Sequence, residues 1–242
     1  MNIWRRCAGA FRPRRREIAA SLVLVGFWAA SAAPAEEVRG VVQITARGGK
    51  GLSLESDVSQ AVVSFEPAGG APPRRSDAPF EIVTRQKQFQ PRVLVVPKGA
   101  RVRFPNQDPI LHNVFSVSPG NSFDLGLYNR GPGKEQKLDQ PGLVRVFCNV
   151  HHSMVAYILV LNTPYYTQPG PDGKFTLAGL PKGPGKLTVW HEQTDPWTID
   201  VTLPQPGPIT ARVEVVRPRI PPHLNKTGQS YFRSGRDRYN QP

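Results

Sequence analysis

Residues 143–161 read LVRVFCNVHHSMVAYILVL: one apolar run ends at Cys148, a second begins at Val155, and NVHHSM lies between them. Both runs are strand-length and rich in Val, Ile, Phe and Tyr, residue types that suit a pleated, half-buried surface. Cys148, His151 and Met154 stand in the order C-x2-H-x2-M. A tight turn at that spacing folds the His and the Met back over the strand end, so three side chains can point at one centre.

Working outward, the same texture continues. Arg92–Val96 and Arg101–Phe104 flank the turn Pro97-Lys98-Gly99-Ala100. His112–Val117, Phe123–Tyr128 and Glu135–Leu138 follow at short spacing, with turns at Pro119-Gly120-Asn121, Gly131-Pro132-Gly133 and Pro141-Gly142. No window after the first 35 residues holds a helical period, so the chain reads as all-β, a sandwich or barrel of many short strands. Strand-like runs also occur at Val38–Ile44 and Ala61–Phe65, before a Pro- and Gly-rich linker at 67–79. A second strand-rich stretch runs from Tyr165 to Val216, through Lys174–Leu177, Lys186–Trp190, Val201–Leu203 and Ala211–Val215. Residues 218–242 are proline-rich and polar without periodicity, which predicts an extended or disordered tail. Trp190-His191-Glu192 carries no visible chemistry, and His191 is expected on the surface.

Residues 1–35 are expected to be a secretory signal peptide. Met1–Arg16 holds six arginines and no acid, Ile18–Ala30 is apolar, and Ala33-Pro34-Ala35 offers a small-x-small cleavage site before Glu36. The apolar run is short for a membrane span, and no later stretch is long enough, so no span is expected after signal removal. The mature chain is therefore expected in an oxidising compartment, the periplasm.

Charge and cysteine usage narrow the function class. The whole chain carries +13. Residues 1–35 hold six arginines against Glu17, and their loss leaves +8; from Arg217 onward six basic groups face only Asp237, so the body stands near +3. That distribution argues against a nucleic-acid-binding surface. Of the two cysteines, Cys7 leaves with the signal, and Cys148 is then the single thiol, which excludes an intrachain disulfide. Of the two methionines, only Met154 follows Met1. A lone Cys is ordinarily a small buried hydrophobe and a lone Met a gap filler. Six residues apart, around a pair of histidines, they call for a common explanation.

A metal site supplies it. A fourth ligand must come from elsewhere, and His112 is the natural candidate, in the loop FPNQDPILHNVF (residues 104–115) that enters a new strand. One thiolate, two imidazoles and a weak thioether form the blue-copper arrangement, which suits both Cu(I) and Cu(II). Zinc gains little from a thioether, and its structural sites take four Cys or His ligands. Spacing alone leaves His151 and His152 as alternatives.

The stretch from about Gln88 to Leu161 resembles a cupredoxin, with the short ligand loop of the amicyanin type. LVVPKGARVRFPNQDPILHNVFS, FDLGLYNRG and PGLVRVFCNVHHSMVAYILVLNTPYY are similar to periplasmic cupredoxin-like proteins labelled methylamine utilization proteins. The resemblance implies a Greek-key β-sandwich over residues 80–163, with one type-1 copper ion at one end held by His112, Cys148, His151 and Met154. It picks His151 over His152. It further implies that Asn113 helps hold the Cys sulfur by a backbone hydrogen bond, and it places Asn106 in the same surroundings. Residues 36–79 and 164–217 resemble a carboxypeptidase regulatory-like (transthyretin-like) β-sandwich, into which the cupredoxin is expected to be inserted at a loop.

The expected function is single-electron transfer, without enzymatic turnover, because four protein ligands leave copper no position for substrate. Val150, His152 and Leu111 form the expected docking patch for a redox protein such as a c-type cytochrome or a periplasmic dehydrogenase. The alternatives are copper storage or delivery, and a structural interaction protein in which copper is incidental.

Overall fold

The computed structural model describes residues 35–46, 57–72 and 80–231. The expected signal, apart from Ala35, most of the 67–79 linker and the last part of the tail lie outside the described residues. The protein is all-β. In chain order the strands are β1 (Glu36–Ala46), β2 (Val62–Pro67), β3 (Phe80–Glu81), β4 (Val83–Arg85), β5 (Gln88–Gln90) and β6 (Val93–Pro97). They continue with β7 (Ala100–Asn106), β8 (His112–Ser116), β9 (Phe123–Tyr128), β10 (Gly131–Leu138), β11 (Gly142–Phe147) and β12 (Val155–Leu161). The last five are β13 (Tyr166–Thr167), β14 (Lys174–Leu180), β15 (Gly183–Trp190), β16 (Trp197–Leu203) and β17 (Ile209–Val215). Among the described residues no helix is long and apolar enough to cross a membrane.

The strands form four sheets. Residues 80–161 supply two of them, β10-β7-β4-β5 with β3 beside β7, and β6-β12-β11-β8-β9. The flanking segments supply the others, β14-β1-β17 and β13-β2-β15-β16. Val41 pairs with Lys174 and Thr210, and Val63 with Thr167 and Val189, so β1 and β2 find their neighbours about a hundred residues or more further along the chain, at closure costs that grow only logarithmically with length.

Period-two alternation explains how the sheets stack. In β12, Ala156, Ile158 and Val160 face the core of the 80–161 sandwich, while Val155, Tyr157 and Leu159 face the other way. The outward set does not meet water. It packs with Val93, Val95, Phe115 and Phe147 against Val62 and Trp190 of the second sandwich. A strand buried on both faces reads as a continuous apolar run, which is how Val155–Leu161 reads. The second sandwich closes over its own core, built around Val38, Val63, Phe65, Leu177, Leu187 and Ala211.

A polar clamp crosses the same seam. Arg92, just ahead of β6, donates through Nε to both carboxylate oxygens of Glu192 at 2.8 Å, and through Nη1 to the carbonyl of Val155 at 3.4 Å. Glu192 follows His191 in the loop after β15, and this loop is buried, which corrects the surface position expected for His191: it is 1% exposed, with Nδ1 accepting from the Gln193 amide at 3.3 Å.

Two local features differ from the sequence expectations. Gly131–Gly133 is the bulged start of β10 and not a turn. Gly133 has φ +74° and a Cβ there would lie 1.8 Å from the Phe104 carbonyl oxygen, so only glycine lets β10 approach β7. The β4–β5 hairpin has no sequence signal, because its two-residue turn, Gln86-Lys87, has φ 54° at both positions without the usual Asn or Gly.

Candidate metal centre

Parity places the site. On β11, Val144 and Val146 point into the core of the 80–161 sandwich, and Cys148, one step beyond the strand, continues on the same side. On β8, Val114 points inward, so His112 does too; at the start of β12, Met154 shares the face of Ala156. Strands β12, β11 and β8 are neighbours in one sheet, so Cys148 and Met154 meet the distant His112 at one end of it. His151 comes from the connecting loop, in which the Met154 amide donates to the His151 carbonyl at 3.1 Å and the Cys148 amide to the Met154 carbonyl at 3.4 Å.

His112, Cys148 and His151 form the one His/Cys/Asp/Glu group among the described residues suited to a metal ion. Nδ1 of His112 and Nδ1 of His151 each lie 3.8 Å from Cys148 Sγ. One ion with metal–sulfur and metal–nitrogen bonds of roughly 2.3 and 2.05 Å can span both separations. One thiol and two imidazoles are donor types that suit a copper ion. Met154 is buried beside Cys148 in the same cluster. Exposure is 0% for His112 and Cys148, 3% for His151 and 1% for Met154, so water is excluded from all four.

The electrostatics separate a ligand thiol from a nucleophile. Burial pushes the Cys148 thiol up, against the opposing pull of the Asn113, Val150 and His151 backbone amides, of which the Val150 N–H lies 3.4 Å from Sγ. A reactive cysteine needs a depressed pKa and access, and Cys148 has neither. A metal cation supplies what the thiol lacks, since coordination displaces the proton outright.

Around this group, Asn113 accepts from the Asn149 amide at 3.2 Å and donates through Nδ2 to Asp124 at 2.7 Å, tying the 148–154 loop to β8 and β9. Asn106 braces the loop before His112: its Oδ1 accepts from the Asp108 amide at 2.9 Å and its Nδ2 donates to the Ile110 carbonyl at 2.9 Å. Leu111 and Val150 are 46% and 40% exposed at this end of the sandwich. His152 is half-buried: its ring stacks on His223 at 4.8 Å and meets the edge of Tyr231 at 5.2 Å.

Several solved structures resemble this chain. A purple cupredoxin from Nitrosopumilus maritimus is 21% identical, covering 34% of this chain and 99% of that one, with a TM-score of 0.31. A point mutant of amicyanin, in its reduced Cu(I) form at pH 4, is 17% identical, covering 42% of this chain and 99% of that one at 0.33. A copper-containing nitrite reductase from Thermus scotoductus SA-01 is 22% identical, covering 37% of this chain and 25% of that one at 0.33. No family model matches the chain, and no curated protein matches it.

Sequence reasoning missed two features of the site. One is Asp108, whose Oδ2 lies 2.9 Å from His112 Nε2; a carboxylate four residues ahead of the histidine was its only signal. The other is the strap formed by residues 219–231. Its Tyr231 hydroxyl donates to the Cys148 carbonyl at 2.9 Å, its Lys226 amide donates to Asn149 Oδ1 at 3.0 Å, and its His223 ring stacks on Phe147 at 4.1 Å. The strap has no periodicity and almost no regular structure, so no local pattern announced it.

Proposed function

We propose that this chain is a periplasmic type-1 (blue) copper protein that carries single electrons, with one copper ion held by His112, Cys148, His151 and Met154. The observation that carries the reading is the pair of imidazole Nδ1 atoms at 3.8 Å from one buried sulfur, close enough for one ion to join all three. Copper would supply the Cu(I)/Cu(II) couple; the chain holds the donors in place and keeps water out. Four protein ligands leave no coordination position for a substrate, so the chain is not read as an enzyme. Such an enclosed ligand set favours a carrier over a delivery protein, in which a recipient must reach the ligands.

An electron would pass at the end of the sandwich where Leu111 and Val150 are exposed beside the ligands. A small apolar patch suits a brief encounter with a redox protein, for example a c-type cytochrome or a periplasmic dehydrogenase. His152, half-covered by the strap, belongs to the margin of that patch. The test is the visible spectrum of the chain from Glu36 onward titrated with Cu(II), beside Cys148→Ala. An intense thiolate-to-copper band in the first and none in the second is the expected result. Bound copper without that band rejects the type-1 reading.

A further inference from the structure

Asp108 is built into the site more firmly than a loop carboxylate needs to be. Its Oδ1 accepts from the Gln86 amide at 2.7 Å and its Oδ2 from the Lys87 amide at 2.9 Å, the two N–H groups presented by the left-handed turn of the β4–β5 hairpin. Its own amide is fixed by Asn106. Asp108 is 8% exposed, and its remaining contact is His112 Nε2 at 2.9 Å. An ionised carboxylate only accepts, so the proton of the neutral His112 ring must sit on Nε2. The lone pair is then on Nδ1, the atom facing Cys148 Sγ.

We propose that Asp108 is a positioning residue for the metal: it fixes the tautomer and orientation of His112, and its charge makes that imidazole a stronger donor, favouring Cu(II) over Cu(I). This rests on the copper reading above. Carboxylates behind a ligating imidazole raise its basicity, and losing such a partner costs about ten- to a hundredfold in metal affinity. The higher oxidation state gains more from a basic nitrogen than Cu(I) does, so the carboxylate lowers the reduction potential. The hairpin amides keep the carboxylate from swinging away. Arg85 and Arg130 line, together with Asp108, a cavity of about 690 Å3.

Two variants separate charge from geometry. Asp108→Asn keeps an oxygen for Nε2–H but removes the charge, and Asp108→Ala removes both. Copper-loaded Asp108→Asn is expected to show the Cu(II)-to-Cu(I) affinity ratio reduced about tenfold, a rise of about 59 mV for one electron, with the thiolate band retained. In metal-free protein, long-range proton–nitrogen NMR should find His112 as the Nε2–H tautomer in the wild type and in Asp108→Asn. In Asp108→Ala it should find a mixture, with copper binding weakened at least tenfold. An unchanged potential in Asp108→Asn, or an Nδ1–H tautomer in the wild type, overturns the proposal. A wild type that holds copper without the thiolate band rejects the type-1 function instead, and the NMR arm still decides whether Asp108 fixes His112. If Asp108→Ala fails to fold, Asp108→Asn carries the test alone.

Discussion

Truncation of Glu192 to alanine should weaken the whole molecule and not only the second sandwich. Glu192 is 4% exposed in its side chain and Arg92 is 18%, and the carboxylate receives the guanidinium through both oxygens. Breaking a buried pair by removing one partner costs about 3–5 kcal/mol, because the other charge is left uncompensated. Arg92 keeps the carbonyls of Val155 and Arg219 as acceptors and retains some contact with water, so the cost falls just below that range, about 2–3 kcal/mol. For a chain of this size that corresponds to a fall in Tm of roughly 5–10 °C. Urea unfolding of metal-free protein measures the loss, with Glu192→Gln as the control that keeps acceptor geometry without charge and recovers part of it. Because Arg92 also holds the carbonyl of the residue after Met154, Glu192→Ala should in addition speed copper loss to a chelator. A change below about 0.5 kcal/mol, the scale of an ordinary surface substitution, refutes the idea that this pair locks the seam.

Copper affinity should fall with pH. Burial holds the Cys148 thiol above its ordinary value, so below that value each copper bound releases one proton, and affinity drops about tenfold per pH unit on acidification. Burial lowers His112 despite its bond to Asp108, so this ring begins to compete only below about pH 6.5; competition titrations against a chelator at several pH values check the slope. Asp124 pairs with Lys226 of the strap at 2.7 Å, and burial, which works against ionisation, is outweighed by the bonds from Lys226, Asn113 and Gly126, leaving its pKa lowered. A depressed carboxylate stabilises the fold above its unfolded value of about 3.9 and loses that contribution as pH falls through the folded one. Amide exchange near residues 222–229 should therefore quicken as pH falls below about 3.9, before the sandwich cores open; simultaneous opening of strap and cores would count against it.

The strands nearest the ligands were legible because their alternation is undiluted: Val144, Val146 and Cys148 on one side, Phe147 on the other. The Cys-His-Met spacing was legible because a thiol and a thioether are rare enough in this chain to stand out. What the sequence concealed are features whose partners lie far away along it. Asp108 looks like one more loop acid until the hairpin at 86–87 is brought against it. The proline-rich tail offers no pattern, yet its aromatic rings find Phe147 and His152. The burial of His191 and Glu192 arises from a seam between two sandwiches, and hydropathy within a strand does not report a surface that another sheet will cover. Phe115, Phe147 and Tyr157 carried the only hint, as large apolar side chains on the face a free sandwich would leave wet.

The parallel pairing of β1 with β17 has a bearing on how the molecule comes together in time. Gly40 lies opposite Ile209, so that sheet closes a loop of about 170 residues, and closure entropy rises only with the logarithm of length. Folding residues 80–161 first roughly halves the free loop and changes its closure cost by only about 0.6 kcal/mol, little enough that the long detour is thermodynamically cheap. Kinetically it is not neutral. Every strand of residues 80–161 has its partners within that span, while β1 waits for a strand at the far end of the chain. During synthesis residues 80–161 can assemble early, and β1 and β2 remain unpaired edges until β13 to β17 emerge, which makes that interval the one most exposed to aggregation.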